Sequence, residues 1–286
     1  ELDEESLEAQ VRFCIEAGAA GLAGPANASE YLTLSDDERR RWLEVVLAAA
    51  GGEVPVIASV TSGHAVPAAA LARFAQERGA AGVMSMPPPL QGLDEAGCFA
   101  YYRHLAGAVD IPVVVQDYNA PMGTPMAPAL LARLCRELRR VEYVKEEVSP
   151  EPRRVSAVLA AAGTACRGVF GGAGGIYLLD EHRRGAAGNM PGPHVTDVLV
   201  QVWQSLERGD GTAARRLFDL LLPLMASERL YGVAVYKEVL RRRGVIATAC
   251  RRTPGGPLEP PDLVEVDAAM AMLAPAMAWR PPTGGA

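Results

Sequence analysis

The chain has 286 residues, of which 49% are hydrophobic and 22% are charged, with a formal net charge of −6. This composition is typical of a globular protein, and its acidic balance excludes the basic surface that a nucleic-acid partner requires. No window of roughly 18 uninterrupted apolar residues occurs, so neither a membrane span nor a membrane partner is expected.

Short apolar runs alternate with stretches of helical periodicity up to about residue 194. Strands are predicted at residues 19–26, 54–60, 82–86, 111–118, 141–145, 165–170 and 186–190. Helices are predicted at residues 3–17, 35–50, 66–78, 93–108, 127–139, 150–162 and 176–184. Beyond residue 194 the strand pattern ends, and four more helices are predicted at 195–208, 211–226, 230–243 and 261–275.

Apolar strands that alternate with helices predict an α/β fold with a buried parallel sheet. We expect a (β/α)8 TIM barrel over residues 1–194, followed by a C-terminal helical extension over residues 195–286. A helix comes first in the chain, so the first barrel strand is expected to lie upstream of residue 1 or to be absent from this chain. A doubly wound sheet is the weaker alternative, because no GxGxxG turn follows the first strand.

The cysteines and histidines predict no metal site. The five cysteines are odd in number and widely spaced, and none forms a CxxC pair. This usage is typical of a reduced, cytoplasmic protein. The four histidines lack the spacing that metal ligands show.

Lysine is rare in this chain, since Lys145 and Lys237 are the only lysines among 28 Lys and Arg residues. Arginine stays protonated, whereas a buried lysine can lose its proton and attack a carbonyl group. Lys145 ends a predicted strand, and strand ends are where TIM barrels place their active sites. Lys237 lies on a predicted helix, where we expect it to face solvent.

Tyr118 ends the predicted strand that precedes the strand of Lys145, so both side chains are expected at the same mouth. A desolvated amine can form an imine with a 2-keto acid, and the imine stabilises an adjacent carbanion. A phenol within hydrogen-bond reach can shuttle protons. The pattern predicts a catalytic Lys145 and Tyr118 with no metal or organic cofactor. An ion pair with Glu146 or Glu147 is the alternative role for the lysine, and strand alternation disfavours Glu146.

Three short motifs occur together in one known family. Residues 117–121, DYNAP, resemble a tyrosine-bearing YN-x-P turn, and residues 144–146, VKE, resemble a Schiff-base lysine segment. Residues 29–39 are similar to a G-E-x-x-x-L-x-x-x-E-R run. Together these motifs resemble the dihydrodipicolinate synthase/N-acetylneuraminate lyase family. The resemblance implies a TIM barrel, commonly a homotetramer, that acts on 2-keto acids such as pyruvate through a lysine imine.

The resemblance also implies a substrate site. Asn27, with the backbone of Ala28 and Ser29, is expected to bind the keto-acid carboxylate. The glycine-rich run at residues 171–175 either binds a phosphate or lets the backbone approach the substrate, and the resemblance implies the second role for Gly172. The backbone near Met190 is likewise expected to face the keto acid.

Three departures from the family pattern disfavour a dihydrodipicolinate synthase. Ala28 cannot relay a proton in place of the family's hydroxyl group. Pro88 stands where synthases place a tyrosine that reaches across the dimer interface. Residues 122–124, MGT, replace an arginine that binds a second carboxylate.

The prediction is a Schiff-base-dependent lyase or aldolase that acts on a pyruvate-type 2-keto acid, with an aldehyde as its second partner. One alternative is a 2-keto-3-deoxy sugar acid dehydratase of the same family. Another is a non-catalytic barrel that binds a keto acid or a partner protein. A cytoplasmic homotetramer or homodimer is expected.

Overall fold

The computed structural model describes residues 1–119 and 123–281. The strands in this part of the chain are β1 Leu22–Gly24, β2 Val56–Ser59, β3 Gly82–Ser85, β4 Val113–Tyr118, β5 Val141–Glu147, β6 Gly168–Gly171 and β7 Gly188–Asn189. The helices are α1 Glu4–Glu16, α2 Asp36–Ala50, α3 Ala65–Glu77, α4 Glu95–Ala106, α5 Pro128–Glu137, α6 Glu151–Ala162, α7 Leu178–Arg183, α8 Thr196–Glu207, α9 Gly211–Tyr231, α10 Val233–Arg242 and α11 Pro260–Leu273. All seven predicted strands are confirmed, with shifts at their ends.

The chain divides into two compact units. The first unit comprises Glu1–Val54 and Pro191–Ala286, and the second comprises Pro55–Met190. The sequence-based division into a barrel over residues 1–194 and an extension over residues 195–286 stays a prediction.

The second unit is built on strands β2 to β7, which pair in parallel in chain order. Every residue of β3 is buried, and the central valines Val113, Val144 and Val169 are fully buried. Parallel strands covered on both faces lose the alternation of polar and apolar residues, which is why these segments form continuous apolar runs. The longest pairing joins β4 to β5 and carries the residues of greatest chemical interest.

Helix α2 in the first unit begins at the capping box that the sequence predicts. The amide of Glu38 donates a hydrogen bond to Oγ of Ser35 at 3.2 Å, and the amide of Ser35 donates to the carboxylate of Glu38 at 3.0 Å. This exchange satisfies two backbone donors that a helix N-terminus otherwise leaves unpaired.

The first unit has an apolar cluster around Phe13, on α1, and Leu240, on α10. Trp279 packs edge-to-face on Phe13, with ring centroids 4.8 Å apart. Arg243 lies against these rings and donates two hydrogen bonds to Asp197, at 2.8 and 2.7 Å. Both charged side chains are less than 5% exposed. The cluster therefore contains a buried, bidentate ion pair.

The expectation that Lys237 faces solvent is wrong. Its Nζ donates hydrogen bonds of 2.6 Å to the carboxylate of Glu30 and to the carbonyl oxygen of Cys250. Glu30 also accepts hydrogen bonds from the amides of Arg252 and Thr253. Lys237 thus neutralises a buried carboxylate far away in the sequence, a contact that the local helical pattern could not indicate.

Two kinds of feature do not occur in the described ranges. Within residues 1–119 and 123–281, no helix combines the length and the apolar character needed to span a bilayer. The same residues contain no cluster of three or more His, Cys, Asp or Glu side chains placed to bind a metal ion.

Replacing Arg243 by Ala should lower the free energy of unfolding by about 3–5 kcal/mol, because it leaves Asp197 as an unpaired buried charge. Urea unfolding would measure this loss. Arg215→Ala is the matched control, since Arg215 pairs with Asp219 on the exposed side of α9. The control should lose less than about 1 kcal/mol. Equal losses in the two variants would contradict the role given to the buried pair.

Candidate active site

The register between β4 and β5 determines which side chains lie together. The paired residues are Gln116 with Lys145, Asp117 with Glu146, and Tyr118 with Glu147. Side chains alternate along a strand, so the first and third pairs share one face of the sheet and the middle pair lies on the other. We call the face that carries Lys145 and Glu147 the Lys145 face. We call the other face, which carries Asp117 and Glu146, the Arg154 face, after the arginine that contacts both carboxyl groups.

Lys145 is a buried amine that lies against a carboxylate. Its side chain is 9% exposed, and Nζ lies 3.1 Å from Oε2 of Glu147. Nε2 of Gln116 donates a hydrogen bond of 2.7 Å to the same oxygen. The ion pair considered as an alternative role for the lysine is therefore formed, with Glu147 as its partner. This carboxylate is placed to accept the proton that an amine loses before it attacks a carbonyl.

The loop after β6 contacts the second oxygen of Glu147. The amide of Ala173 donates a hydrogen bond of 3.1 Å to Oε1. A Cβ atom at Gly172 would overlap the carboxylate of Glu147, and one at Gly171 would overlap the carboxylate of Glu181. Glycine at these two positions lets the loop backbone close on both carboxyl groups.

Glu181, on α7, is a second carboxyl group buried beside this loop. It is 1% exposed, and Nδ2 of Asn189 donates a hydrogen bond of 2.9 Å to its Oε2. Burial raises the pKa of Glu181 to about 7, and three nearby carboxylates add to the increase. Oε1 of Glu181 and Oδ1 of Asn189 have no hydrogen-bond partner within residues 1–119 and 123–281.

Arg154, on α6, joins the two carboxyl groups of the Arg154 face. Its Nη2 donates to Asp117 at 2.6 Å, and its Nε donates to Glu146 at 3.0 Å. Both carboxyl side chains are fully buried. Burial raises the pKa of each of them. Asp117 thus lies on the face opposite to Lys145, as strand alternation predicts.

Tyr118 ends β4 on the Lys145 face and is half-buried. Next to it, Nδ2 of Asn119 donates a hydrogen bond of 3.3 Å to the carbonyl oxygen of Glu147. A Cβ atom at Gly123 would lie 2.5 Å from the carbonyl oxygen of Tyr118, so the backbone at Gly123 packs closely against the end of β4. The Ala and Pro of the predicted turn, at residues 120–121, lie outside the described residues.

The predicted carboxylate-binding segment lies in the first unit. Asn27–Ser29 forms a short 3-10 helix after β1. Oδ1 of Asn27 is buried and accepts no hydrogen bond from the described part of the chain. The amide of Ser29 donates to the carbonyl oxygen of Ala26 at 2.9 Å, so this predicted backbone donor is already engaged.

The other predicted substrate-binding residues share the second unit with Lys145 and Tyr118. Gly172 contacts Glu147, as described above. The amide of Met190 donates a hydrogen bond of 3.0 Å to the carbonyl oxygen of Gly171. The roles of all these residues in catalysis and substrate binding stay predictions.

Glu147 is the main functional candidate that we did not predict as a site residue. Its position two residues after Lys145 on one strand was the available signal, because residues i and i+2 share a face. No comparable signal marks Glu181 or Asn189. They meet through the hydrogen bond from Asn189, at the end of β7, to Glu181, on α7.

Comparisons with known proteins agree over nearly the whole chain. The model of the dihydrodipicolinate synthetase family matches residues 1–272. L-2-keto-3-deoxyarabonate dehydratase from Azospirillum brasilense is 34% identical over 279 residues, which cover 96% of this chain and 90% of that protein. 4-Hydroxy-tetrahydrodipicolinate synthase from Nitratidesulfovibrio vulgaris is 29% identical over 225 residues, which cover 78% of this chain and 76% of that protein.

The solved structures show the same relationship. The crystal structure of dihydrodipicolinate synthase from Rhodopseudomonas palustris matches with a TM-score of 0.88 and 29% identity. The match covers 96% of this chain and 92% of that one. It confirms the predicted fold class, an α/β TIM barrel with a C-terminal helical extension.

Replacing Glu181 by Gln should make stability less dependent on pH. The folded-state pKa of about 7 lies above the usual 4.5, so the folded protein binds this proton more tightly than the unfolded chain does. The contribution of this bound proton to the free energy of unfolding is complete below pH 4.5 and is lost as the pH rises through about 7. Between pH 4.5 and about 7, the free energy of unfolding should fall by up to about 3 kcal/mol more in the wild type than in the variant. This follows from about 1.4 kcal/mol per pKa unit.

Urea unfolding at a series of pH values would measure this difference. Glu137→Gln is the matched control, because Glu137 is half-exposed and pairs with Arg133 on the surface of α5. The control should keep the pH dependence of the wild type. If Glu181→Gln also keeps it, the carboxyl group is ionised throughout and the prediction is wrong.

Proposed function

Because the chain belongs to the dihydrodipicolinate synthetase family, an enzyme family of lyases and dehydratases, we propose that it is a Schiff-base-dependent lyase acting on a 2-keto acid. The observation that carries the proposal is the buried contact of Lys145 with Glu147 near the end of β5. Strand ends of this kind form the active sites of TIM barrels. A buried amine with a proton acceptor beside it has the chemistry that imine formation needs.

Lys145 is the proposed nucleophile. Its amine adds to the C2 carbonyl group of the keto acid, and loss of water leaves an imine that joins Nζ to C2. The protonated imine withdraws electrons from C3, so a proton can leave C3 and an enamine forms. The covalent lysine imine thus supplies the electron sink, and the proposed reaction needs no added cofactor.

Glu147 and Tyr118 are the proposed proton carriers. Glu147 accepts the proton of Lys145 across 3.1 Å, and Gln116 and the amide of Ala173 fix both of its oxygens. Tyr118 is the register partner of Glu147 and lies on the same face, which supports its role as a proton shuttle. Two proton carriers on one face can serve the two transfers that elimination requires.

Dehydration of a 2-keto-3-deoxy sugar acid is the reaction we favour. The Azospirillum relative, 34% identical over 96% of this chain, is named for such a dehydratase. In this reaction the enamine expels the C4 hydroxyl group, the C4–O bond breaks, and an acid protonates the departing oxygen to give water. A carboxyl group beside the lysine fits this demand, because hydroxide leaves poorly without a proton donor.

Asn27, Ala28 and Ser29 are proposed to bind the substrate carboxylate, and the backbone at Gly172 and Met190 is proposed to line the site. The side-chain NH2 of Asn27, which can donate to a carboxylate, and the close approach of Gly172 to Glu147 support these roles. A cytoplasmic homotetramer or homodimer, as the family resemblance implies, stays a prediction.

Borohydride reduction in the presence of pyruvate or a 2-keto-3-deoxypentonate should attach the keto acid to Lys145. Peptide mass spectrometry would locate the adduct. Lys145→Arg should form no adduct and show no turnover, because a guanidinium stays protonated and cannot attack a carbonyl group. The variant should keep the wild-type unfolding midpoint. Full activity in Lys145→Arg would exclude the mechanism. A folded wild type without any adduct would instead indicate a non-catalytic keto-acid-binding barrel.

Glu147→Gln should slow turnover by about 10²–10⁴-fold, the usual contribution of a general acid–base group. The product assay identifies the reaction: dehydration keeps every carbon atom in one product, whereas aldol cleavage releases pyruvate and an aldehyde. Glu142→Gln is the matched control, since Glu142 lies on the same strand but pairs with the exposed Arg167. Wild-type turnover in Glu147→Gln would contradict the role of Glu147.

A further inference from the structure

The Arg154 face places two buried carboxyl groups against one guanidinium. Asp117 uses both of its oxygens as acceptors from fixed donors. Oδ1 accepts from the amide of Met126 at 2.9 Å, and Oδ2 accepts from Nη2 of Arg154 at 2.6 Å. Each oxygen of Asp117 therefore already accepts a hydrogen bond from a fixed donor.

The two oxygens of Glu146 differ from each other. Oε1 accepts hydrogen bonds from the amide of Val148 at 2.8 Å and from Nε of Arg154 at 3.0 Å. Oε2 is buried and receives no hydrogen bond from any donor in residues 1–119 and 123–281. Glu146 is the register partner of Asp117, and Arg154 bonds to both carboxyl groups. An ionised Oε2 would be a buried anionic oxygen without a donor, whereas a protonated Oε2 could use the neighbouring Asp117 as its acceptor.

Within residues 1–119 and 123–281, Arg154 is the one cation that forms an ion pair with Asp117 or Glu146. Two ionised carboxylates and Arg154 would leave a net negative charge in a buried site, which is costly. From α4, Cys98 and Tyr102 lie near enough to Asp117 for its charge to raise their pKa values. Burial raises the pKa of Cys98 to about 11 and holds the pKa of Tyr102 well above its usual value, so both are uncharged at neutral pH.

We propose that Glu146 is a protonated acid that shares its proton with Asp117, which makes the cluster with Arg154 electrically neutral. We further assign this cluster as a positioning device for the neighbouring Lys145 and Tyr118. This second part rests on the proposed function, because it concerns the alignment of the two proposed catalytic groups.

The coupling to the Lys145 face follows from chain connectivity. Asp117 directly precedes Tyr118, and Lys145 directly precedes Glu146, so each carboxyl residue of the cluster is covalently next to a proposed catalytic residue. Arg154 bonds to both strands at once. Loss of the cluster would let one strand end shift against the other, and a misplacement of about 1 Å can lower a rate about 100-fold.

A matched pair of isosteric substitutions tests the proposal. In Glu146→Gln the amide NH2 takes the place of the protonated Oε2, donates to Asp117, and leaves the acceptor at Oε1 unchanged. In Asp117→Asn an NH2 group must face the amide of Met126 or the guanidinium of Arg154, both of which are donors. Glu146→Gln should therefore keep the rate of borohydride trapping within about two-fold, whereas Asp117→Asn should lower it about ten-fold or more.

A readout without substrate separates this inference from the proposed function. The infrared difference spectrum of wild type minus Glu146→Gln at neutral pH should contain the C=O band of a protonated carboxyl group. The control spectrum of wild type minus Glu142→Gln should lack this band. If the band is absent from the Glu146 difference spectrum, the shared proton is excluded, whatever the enzyme does with keto acids. If the wild type forms no imine, the proposed function and the positioning role are both wrong. The C=O band then still shows whether Glu146 is protonated.

The pH dependence of trapping distinguishes positioning from a purely structural role. Above the raised pKa of Glu146 the wild type loses the shared proton, and the two carboxylates then repel each other. The trapping rate of Glu146→Gln relative to wild type should be constant at low pH and increase at high pH. A constant ratio, or equal losses in Glu146→Gln and Asp117→Asn, would overturn the positioning role.

Discussion

The parallel pairing of β4 with β5 is the constraint on which the candidate site depends. It places Tyr118 opposite Glu147 and Asp117 opposite Glu146. Because side chains alternate, Lys145 and Glu147 lie on one face of the paired strands, and Asp117 and Glu146 lie on the other. A shift of one residue would put the faces of the two strands out of phase, so Glu147 would lose its hydrogen bond from Gln116 and its pairing with Tyr118.

Buried charge is neutralised differently on the two faces. On the Lys145 face, one amine lies against one carboxylate, and Gln116 and a backbone amide complete its hydrogen bonds. On the Arg154 face, one guanidinium lies against two carboxyl groups. The first arrangement places a proton acceptor beside the proposed nucleophile, and the second stiffens the strands that carry it.

The glycine-rich loop connects this arrangement to its surroundings. Gly171 and Gly172 allow the backbone to lie directly against Glu181 and Glu147, where any larger residue would overlap a carboxylate. Glu181 is thereby buried near other acids, and its pKa is raised for that reason. The described contacts of this loop are with carboxyl groups of the protein itself, and its role towards a phosphate or a substrate stays a prediction.

The α/β fold class, the seven strands and the placement of Lys145 and Tyr118 on adjacent strands could be predicted from the amino-acid sequence. These properties follow from local features: apolar runs, helix caps such as Ser35, and the rarity of lysine in an arginine-rich chain. The partner of Lys237, the burial of Glu181, and the joining of Asp117 to Glu146 by Arg154 became evident only from the three-dimensional structure. Each of these contacts joins residues far apart in the chain or on separate elements. Local periodicity describes which face a residue occupies, but not which distant side chain packs against that face.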